Sequence, residues 1–223
     1  MKARDWSRYL EEQRRKHGKH LFTITELANV ACTSIGNLNV ELSRLRKYEV
    51  IERYGRGIYG LPGINSPEIL LPELDSHAYI TGGSALFFHN LISQIPVQIT
   101  SFTDKRHGNA RIRITPIGSY RFVSVRTPIY APPGDGVIAG AEQALCDFVY
   151  LSRRDGTDPK TQVSFRNLDR ISLRRLKDFL GHYPRTVNRQ IREVLNLSRK
   201  GIVGEVSRRS GNMTDNHDPG GAR

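Results

Sequence analysis

The sequence has few cysteines, no long apolar run and too few acidic side chains to balance its basic ones. Its two cysteines, Cys32 and Cys146, lie far apart without paired spacing, so they predict neither a disulfide framework nor a cysteine zinc site. No stretch of about 18 apolar residues occurs, and residues 1–20 lack the apolar centre of a signal peptide. We therefore expect a cytoplasmic protein that does not span a membrane.

The excess of basic side chains is confined to two parts of the chain. The formal net charge of the 223 residues is +12. Residues 1–65 carry 12 basic and 7 acidic side chains, residues 66–150 carry 6 and 7, and residues 151–223 carry 16 and 8. Basic chains favour polyanions, of which nucleic acid is the commonest, although a solvated surface that binds nothing can have the same composition.

The segment 81–91, TGGSALFFHNL, fits either a loop that handles phosphate or a turn into a buried helix. In minimal nucleotidyltransferases such a Gly-Gly-Ser loop is followed by two carboxylates, spaced D-x-D, which hold Mg²⁺ against the triphosphate. Here Asp104 is followed by Lys105, and the next carboxylate is Asp135. We therefore expect no catalytic residue, no metal and no cofactor. We interpret the segment as structural, with Ser84 capping a mostly buried helix that runs to the end of the segment.

The first 65 residues contain the order of elements found in a winged helix-turn-helix. An amphipathic helix is predicted over 5–17, and the T-x-x-E pattern at Thr23 and Glu26 is a capping box that predicts a helix over 24–30. A further helix is predicted over 34–48, because its apolar residues recur at spacings of three and four. This apolar stripe consists of Ile35, Leu38, Leu42 and Leu45.

The opposite side of the 34–48 helix is polar and cationic, which is typical of a recognition helix that reads the major groove. A glycine-rich hairpin turn at 55–57 follows, and its arginines would lie where a wing contacts phosphates or the minor groove. The alternative is an ordinary two-helix packing unit. The residues predicted to contact duplex operator DNA are Ser34, Asn37, Ser43, Arg44, Lys47, Arg53 and Arg56.

The predicted fold class is α+β, with a winged helix-turn-helix domain over 1–65 and a mixed α/β domain over 66–197. Turn-forming residues mark the boundary, and Ser66 with Pro67 predicts the start of a helix. Strands are predicted over 97–103, 111–115 and 120–127. In the second of these, arginines alternate with isoleucines, which predicts one charged and one apolar side. Residues 198–223 have few apolar side chains, and we expect them to be disordered.

Two basic helices are predicted near the end of the second domain, over 172–182 and from Pro184 onward. Their apolar residues, including Leu173, are expected to face the core. Their cationic side chains would contact phosphates or an acidic partner, with solvated helix faces as an equal alternative. These side chains are Arg174, Arg175, Lys177, Arg185, Arg189 and Arg192.

Four segments, in this order, resemble the AbiEi-type antitoxins of bacterial abortive-infection toxin–antitoxin systems. They are FTITELANVACTSIGNLNVELSRLRKYEVIERYGRGIYGLPG, YITGGSALFFHNLISQIP, AEQALCDFVYL and VSFRNLDRISLRRLKDFL. The resemblance implies a winged-helix domain that binds its own operator and a second domain with antitoxin activity against a neighbouring nucleotidyltransferase-like toxin. In the family's usual pattern an arginine stands where this chain has Gln143.

We therefore predict a DNA-binding repressor of its own promoter that is also an antitoxin, with operator DNA and the cognate toxin as partners. One alternative is a stand-alone winged-helix transcription factor whose second domain senses a ligand. The other is a nucleotidyltransferase-like enzyme. An adjacent nucleotidyltransferase gene would favour the antitoxin, and magnesium-dependent nucleotide transfer would favour the enzyme.

Overall fold

The computed structural model describes residues 2–196, in which helices surround two small sheets. The predicted disorder of 198–223 concerns residues outside this range. The first part of the chain contains α1 (Ala3–His17), β1 (Leu21–Thr23), α2 (Ile24–Val30), α3 (Ile35–Lys47), β2 (Glu52–Gly55) and β3 (Ile58–Gly60). The second part contains α4 (Pro67–Leu74), β4 (Tyr79–Ile80), α5 (Gly82–Phe88), β5 (Ile99–Thr103), β6 (Ile112–Thr115), β7 (Gly118–Ser124), α6 (Ala141–Arg154), α7 (Pro159–Gln162) and α8 (Leu173–Leu180). Residues 185–196 are also helical.

Local capping signals end α1 and begin α2 and α3, as predicted, while α1 begins at Ala3, two residues before the predicted start. Gly18 ends α1 in the left-handed conformation, with φ 63°. The capping box of α2 is complete, because the Thr23 Oγ1 accepts from the Glu26 N–H at 3.2 Å and the Glu26 carboxylate accepts from the Thr23 N–H at 2.8 Å. The Ser34 hydroxyl accepts from the Asn37 N–H at 3.3 Å and so begins α3.

The first sheet is antiparallel, with strand order β1-β3-β2. Its β2–β3 hairpin is the turn predicted at 55–57. Gly60 of β3 packs against the backbone just before β1, because a Cβ there would be 2.5 Å from the His20 carbonyl oxygen. The N–H of Ile24 donates to the Gly57 carbonyl at 2.8 Å, so the hairpin turn is attached to the first residue of α2.

The second sheet has strand order β4-β5-β7-β6, with β5 and β7 parallel and the other pairs antiparallel. One face carries Phe102 and Val123, which belong to the same core cluster as the buried residues of α5 and α6. The other face carries Tyr120 and Phe122, which pack with residues of α4 and of the first sheet. The central strands β5 and β7 are therefore covered on both faces.

An apolar cluster joins the two parts of the chain across the boundary predicted at residue 65. The boundary itself stays a prediction, but the two parts share this core. Tyr54 is buried in the cluster, and its hydroxyl donates to the Leu61 carbonyl at 2.8 Å and accepts from the Ile64 N–H at 3.1 Å. The buried members of the cluster are Leu21, Tyr54, Ile58, Leu70, Leu71, Ala78, Ile80, Tyr120 and Phe122.

Strand β6 turns its apolar side outward, which is the reverse of what its alternating pattern suggests. Ile114 is 88% exposed, whereas Arg113 is half-buried. The Arg113 guanidinium donates to the Leu74 carbonyl at 2.7 Å, lies 3.0 Å from the Nδ1 of His107 and stacks over the Phe122 ring at 5.0 Å. These contacts satisfy the charge inside the fold, so the arginine takes the inner position of this edge strand.

Two apolar residues predicted to face the core are exposed instead. Ile35 is 45% exposed and Leu173 is 49% exposed. Each is the first residue of its helix, α3 and α8 respectively. Because helical side chains point back towards the N terminus, side chains at this position extend past the packed face.

Leu71→Ala is predicted to destabilise both parts of the chain, because Leu71 is fully buried in the cluster that they share. We expect a loss of about 2–5 kcal/mol in the free energy of unfolding. Urea denaturation is followed by tryptophan fluorescence and by circular dichroism. The only tryptophan, Trp6, lies in the first part, whereas Leu71 lies in the second. A shift of the fluorescence transition therefore reports coupling between the parts.

Leu173→Ala is the matched control, because it removes the same atoms from a half-exposed position and should cost less than about 1 kcal/mol. An unchanged fluorescence transition for Leu71→Ala, alongside a shifted circular dichroism transition, would show two independent folding units.

Candidate nucleic-acid interface

Helix α3 is held in a defined rotation by α1. The Nε1 of Trp6 donates to the Glu41 carboxylate at 2.7 Å. Around this hydrogen bond the leucines of α3 pack with Trp6 and Leu10 in one core cluster. The role of Glu41 is not predicted from the sequence. An acidic residue beside the leucine stripe is only a weak signal for a hydrogen bond between two helices. The contact between α1 and α3 leaves the opposite side of α3 facing solvent.

All the residues predicted to form the outer side of α3 are exposed, and they differ in how they are engaged. The Ser34 hydroxyl caps the helix, and the Ser43 hydroxyl donates to the Asn39 carbonyl at 2.8 Å. The remaining three side chains form no hydrogen bond or ion pair with residues 2–196. They are Asn37, Arg44 and Lys47. These three are therefore available to an external partner.

A shallow cavity of about 430 Å³ lies along α3 beside the start of α1. Asn37 and Arg44 both line it, together with Ala3 at the start of α1 and Tyr48 at the end of α3. Tyr48 is 70% exposed and is not among the predicted contacts. In the sequence, the signal for Tyr48 is that an aromatic residue stands at the end of a cationic helix. Tyr48 therefore joins the candidate interface.

The two arginines of the β2–β3 hairpin are exposed but are engaged differently. The Nε of Arg53 donates to the Gly55 carbonyl at 3.0 Å, so this side chain folds back onto the turn. Arg56 occupies the turn and makes no side-chain hydrogen bond or ion pair within the described part of the chain. Of the two, Arg56 is the one whose whole guanidinium is available.

The basic side chains predicted in the second part are exposed on two helices packed into its core. Helix α8 contributes Leu176 to that core, and the helical residues 185–196 contribute Val187 and Ile191. All six cationic side chains face solvent. They are Arg174, Arg175, Lys177, Arg185, Arg189 and Arg192.

The Gly-Gly-Ser segment has a structural role, but not the one predicted for Ser84. The Ser84 hydroxyl donates to the Gln98 carbonyl at 3.0 Å and accepts from the Thr100 N–H at 2.9 Å, so it ties α5 to β5. Thr81 holds the N-cap position, and α5 begins at the first glycine. The helix ends at Phe88, which is 63% exposed, rather than at the end of the segment.

Two carboxylates near this segment contact histidines. The Asp104 Oδ1 lies 2.9 Å from the His77 Nδ1, and the Asp75 Oδ2 lies 2.8 Å from the His107 Nε2. Burial opposes ionisation of Asp75, but hydrogen bonds from Thr103, the His77 backbone and His107 outweigh it and lower its pKa to about 2. Within residues 2–196, no group of three or more His, Cys, Asp or Glu side chains is placed to hold a metal ion.

A third carboxylate, Asp147 of α6, lies in the core of the second part. It accepts hydrogen bonds at 2.5 Å from the Thr81 and Tyr183 hydroxyls. Burial raises the pKa of Asp147 to about 7 despite these two donors. Four residues earlier, Gln143 is also buried, and its amide donates to the Ala131 carbonyl at 2.6 Å. The position where the family pattern has an arginine is therefore filled by a neutral, hydrogen-bonded side chain.

No protein-family model and no curated protein matches this chain. Helices long and apolar enough to cross a membrane are absent from residues 2–196. The likeness to AbiEi-type antitoxins rests on the order of the four sequence segments.

The buried Asp147 predicts that stability falls as the pH rises towards neutrality. Its folded-state pKa of about 7 lies above the ordinary aspartate pKa of 3.8, so the folded protein binds this proton more tightly than the unfolded chain. The resulting stability is complete below about pH 4 and is lost as the pH rises to about 7. Between pH 5 and 8 we expect Asp147 to lower the free energy of unfolding by about 1–3 kcal/mol.

The measurement is the free energy of unfolding at several pH values for the wild type and for Asp147→Asn, which stays neutral throughout. All other side chains are common to both proteins, so the difference between their pH profiles isolates Asp147. Parallel pH profiles of stability for the two proteins would contradict a raised pKa of Asp147.

Proposed function

We propose that the chain is a DNA-binding repressor of its own promoter and the antitoxin of a bacterial toxin–antitoxin pair. We interpret the first part as a winged helix, in which α2 and α3 form the helix-turn-helix and the β2–β3 hairpin forms the wing. One observation carries the DNA-binding proposal. The leucines of α3 are buried against α1, while Asn37, Arg44 and Lys47 are exposed and have no hydrogen-bond or ion-pair partner among residues 2–196.

The exposed side chains of α3 suit the two kinds of contact that DNA recognition needs. An asparagine can bond to both the N6 and the N7 of adenine, and an arginine to the O6 and N7 of guanine. Asn37 and Arg44 line the same cavity, so one stretch of major groove could meet both. Lys47 and Arg56 would hold phosphates, which positions the protein without reading sequence.

Ser34 and Ser43 have a supporting role in this proposal. Because their hydroxyls are engaged within α3, they shape the helix and its first turn. The free N–H groups of that first turn would face a phosphate. The basic side chains of α8 and of residues 185–196 would add phosphate contacts or contact an acidic partner.

The antitoxin part of the proposal rests on the resemblance of the four segments to AbiEi-type proteins. Two of them form the β4–α5 region and α6, which are central to the core of the second part. We therefore assign the antitoxin activity to this part, with a nucleotidyltransferase-like toxin as partner. We assign no catalytic step to the chain, because Asp104 is followed by Lys105 and pairs with His77.

Asn37→Ala and Arg44→Ala are predicted to lower affinity for the operator about tenfold each, with little effect on scrambled duplex, because they remove base contacts. Arg56→Ala should weaken binding to both duplexes and lower the slope of log K against log salt by about one, because it removes a phosphate contact. Gel shifts use duplex DNA from upstream of the chain's own gene.

Arg166→Ala is the control for these gel shifts, since Arg166 is exposed in the second part of the chain. Unchanged operator binding by both α3 variants would refute the recognition-helix assignment.

Repression and protection from the toxin are predicted to separate by point substitution. The double variant Asn37→Ala with Arg44→Ala should lose repression in a promoter–reporter assay and still rescue cells that express the cognate toxin. Point variants test this better than a cut at residue 65, because a cut would expose Leu70 and Leu71 of the shared cluster. Loss of rescue in a double variant with wild-type thermal stability would contradict the division of roles.

A further inference from the structure

A notch lined with arginines opens at the end of the edge strand β6. The cavity has a volume of about 450 Å³, and Phe122 and Val123 of β7 contribute to its lining. The Phe122 N–H donates to the Arg111 carbonyl at 2.7 Å, and this is the last backbone hydrogen bond between β7 and the segment that leads into β6. Beyond it, residues 123–124 of β7 pair with β5 on one side, and on the β6 side no strand lies beside them in the described part of the chain. The notch occupies the space where β6 would otherwise continue.

Four arginines from three segments of the chain line the notch, with a single acidic residue among the lining residues within 2–196. Arg106 and Arg111 come from the loop before β6, Arg121 from β7 and Arg154 from the end of α6. The carboxylate is Asp155, whose Oδ2 lies 3.0 Å from the Arg121 Nη2. The notch therefore carries more positive charge than its own residues neutralise.

The four arginines are not equally engaged. Arg121 is paired with Asp155, and the Nη1 of Arg154 donates weakly to the Ser124 carbonyl, at 3.4 Å. The side chains of Arg106 and Arg111 are exposed and form no hydrogen bond or ion pair with residues 2–196. Three of the guanidiniums thus retain most of their donors for an incoming anion.

We propose that this notch binds a small phosphate-bearing molecule, whose phosphate is held by Arg106, Arg111 and Arg154. Planar guanidinium groups match phosphate oxygens in paired hydrogen bonds, and several converging forks recognise phosphate without a metal ion. The volume lies within the range of small-molecule sites, and Phe122 and Val123 add apolar surface for the rest of the ligand. Asp155 orients Arg121 and limits the net charge.

A free phosphate compound suits this site better than the backbone of a duplex. The arginines line a single concave notch, whereas phosphates on a duplex lie along a convex surface and are met by basic residues spread over a wider area. The site is separate from α3 and does not depend on the DNA-binding proposal.

The test is calorimetric titration of the full chain with inorganic phosphate, pyrophosphate and ATP, in the presence of EDTA. We expect saturable binding of at least one of them at one site per chain. Arg106→Ala and Arg111→Ala should each weaken it about tenfold, because each removes a charge-assisted contact. Asp155→Asn should strengthen it severalfold, because it removes the opposing charge and releases Arg121.

Arg126→Ala and Asp135→Asn are the matched controls, since both residues are exposed and lie outside the notch lining. The notch variants change exposed residues, and circular dichroism confirms their folding. Absence of saturable binding by all three compounds would overturn the proposal, as would equal affinities in notch and control variants. In a second arm, scrambled duplex DNA is titrated. Duplex binding that depends on Arg111, without binding of the small compounds, would assign the notch to nucleic acid and also overturn the proposal.

Discussion

Burial of the leucine side of α3 against Trp6 and Leu10 determines which side of that helix meets solvent. The hydrogen bond from Trp6 to Glu41 fixes the rotation between α1 and α3, because a buried indole N–H without a partner would cost about 1–3 kcal/mol. Because the apolar side of α3 is buried, the side chains of Asn37, Arg44 and Lys47 face outward. The hairpin that follows is attached to α2 through the Gly57 carbonyl.

A second constraint ties the proposed DNA-binding part to the rest of the protein. Tyr54 of the first sheet, Leu70 and Leu71 of α4, and Tyr120 of the second sheet belong to one apolar cluster. Such a cluster loses its burial on both sides if either part unfolds, so the parts stabilise each other. The two activities that we propose, repression and protection from a toxin, are thus assigned to surfaces on a shared core. Separate surfaces on a shared core are separable by point substitution even where the parts fold together.

The elements of the first part could be predicted from sequence because their signals are local. A capping box at Thr23 and a cap at Ser34 act within one helical turn, so neighbouring residues suffice to recognise them. The role of Ser84 and the inward position of Arg113 do not follow from local sequence, because their partners, Gln98 and Leu74, are distant in the chain. The same reason applies to Glu41 and to the arginine notch, whose members are far apart in sequence. Candidate contacts on one helix can be read from its periodicity, whereas sites assembled from several elements require the fold.

Amide chemical-shift mapping of the full, isotope-labelled chain with operator duplex tests the central claim most directly. If α3 is the recognition helix, the largest changes on adding operator fall in residues 34–48 and at the hairpin turn around Arg56. Scrambled duplex should reproduce the changes at the turn but not those at Asn37 and Arg44, since phosphate contacts carry no sequence information. Operator-dependent changes confined to residues 172–196, with α3 unaffected, would contradict the account.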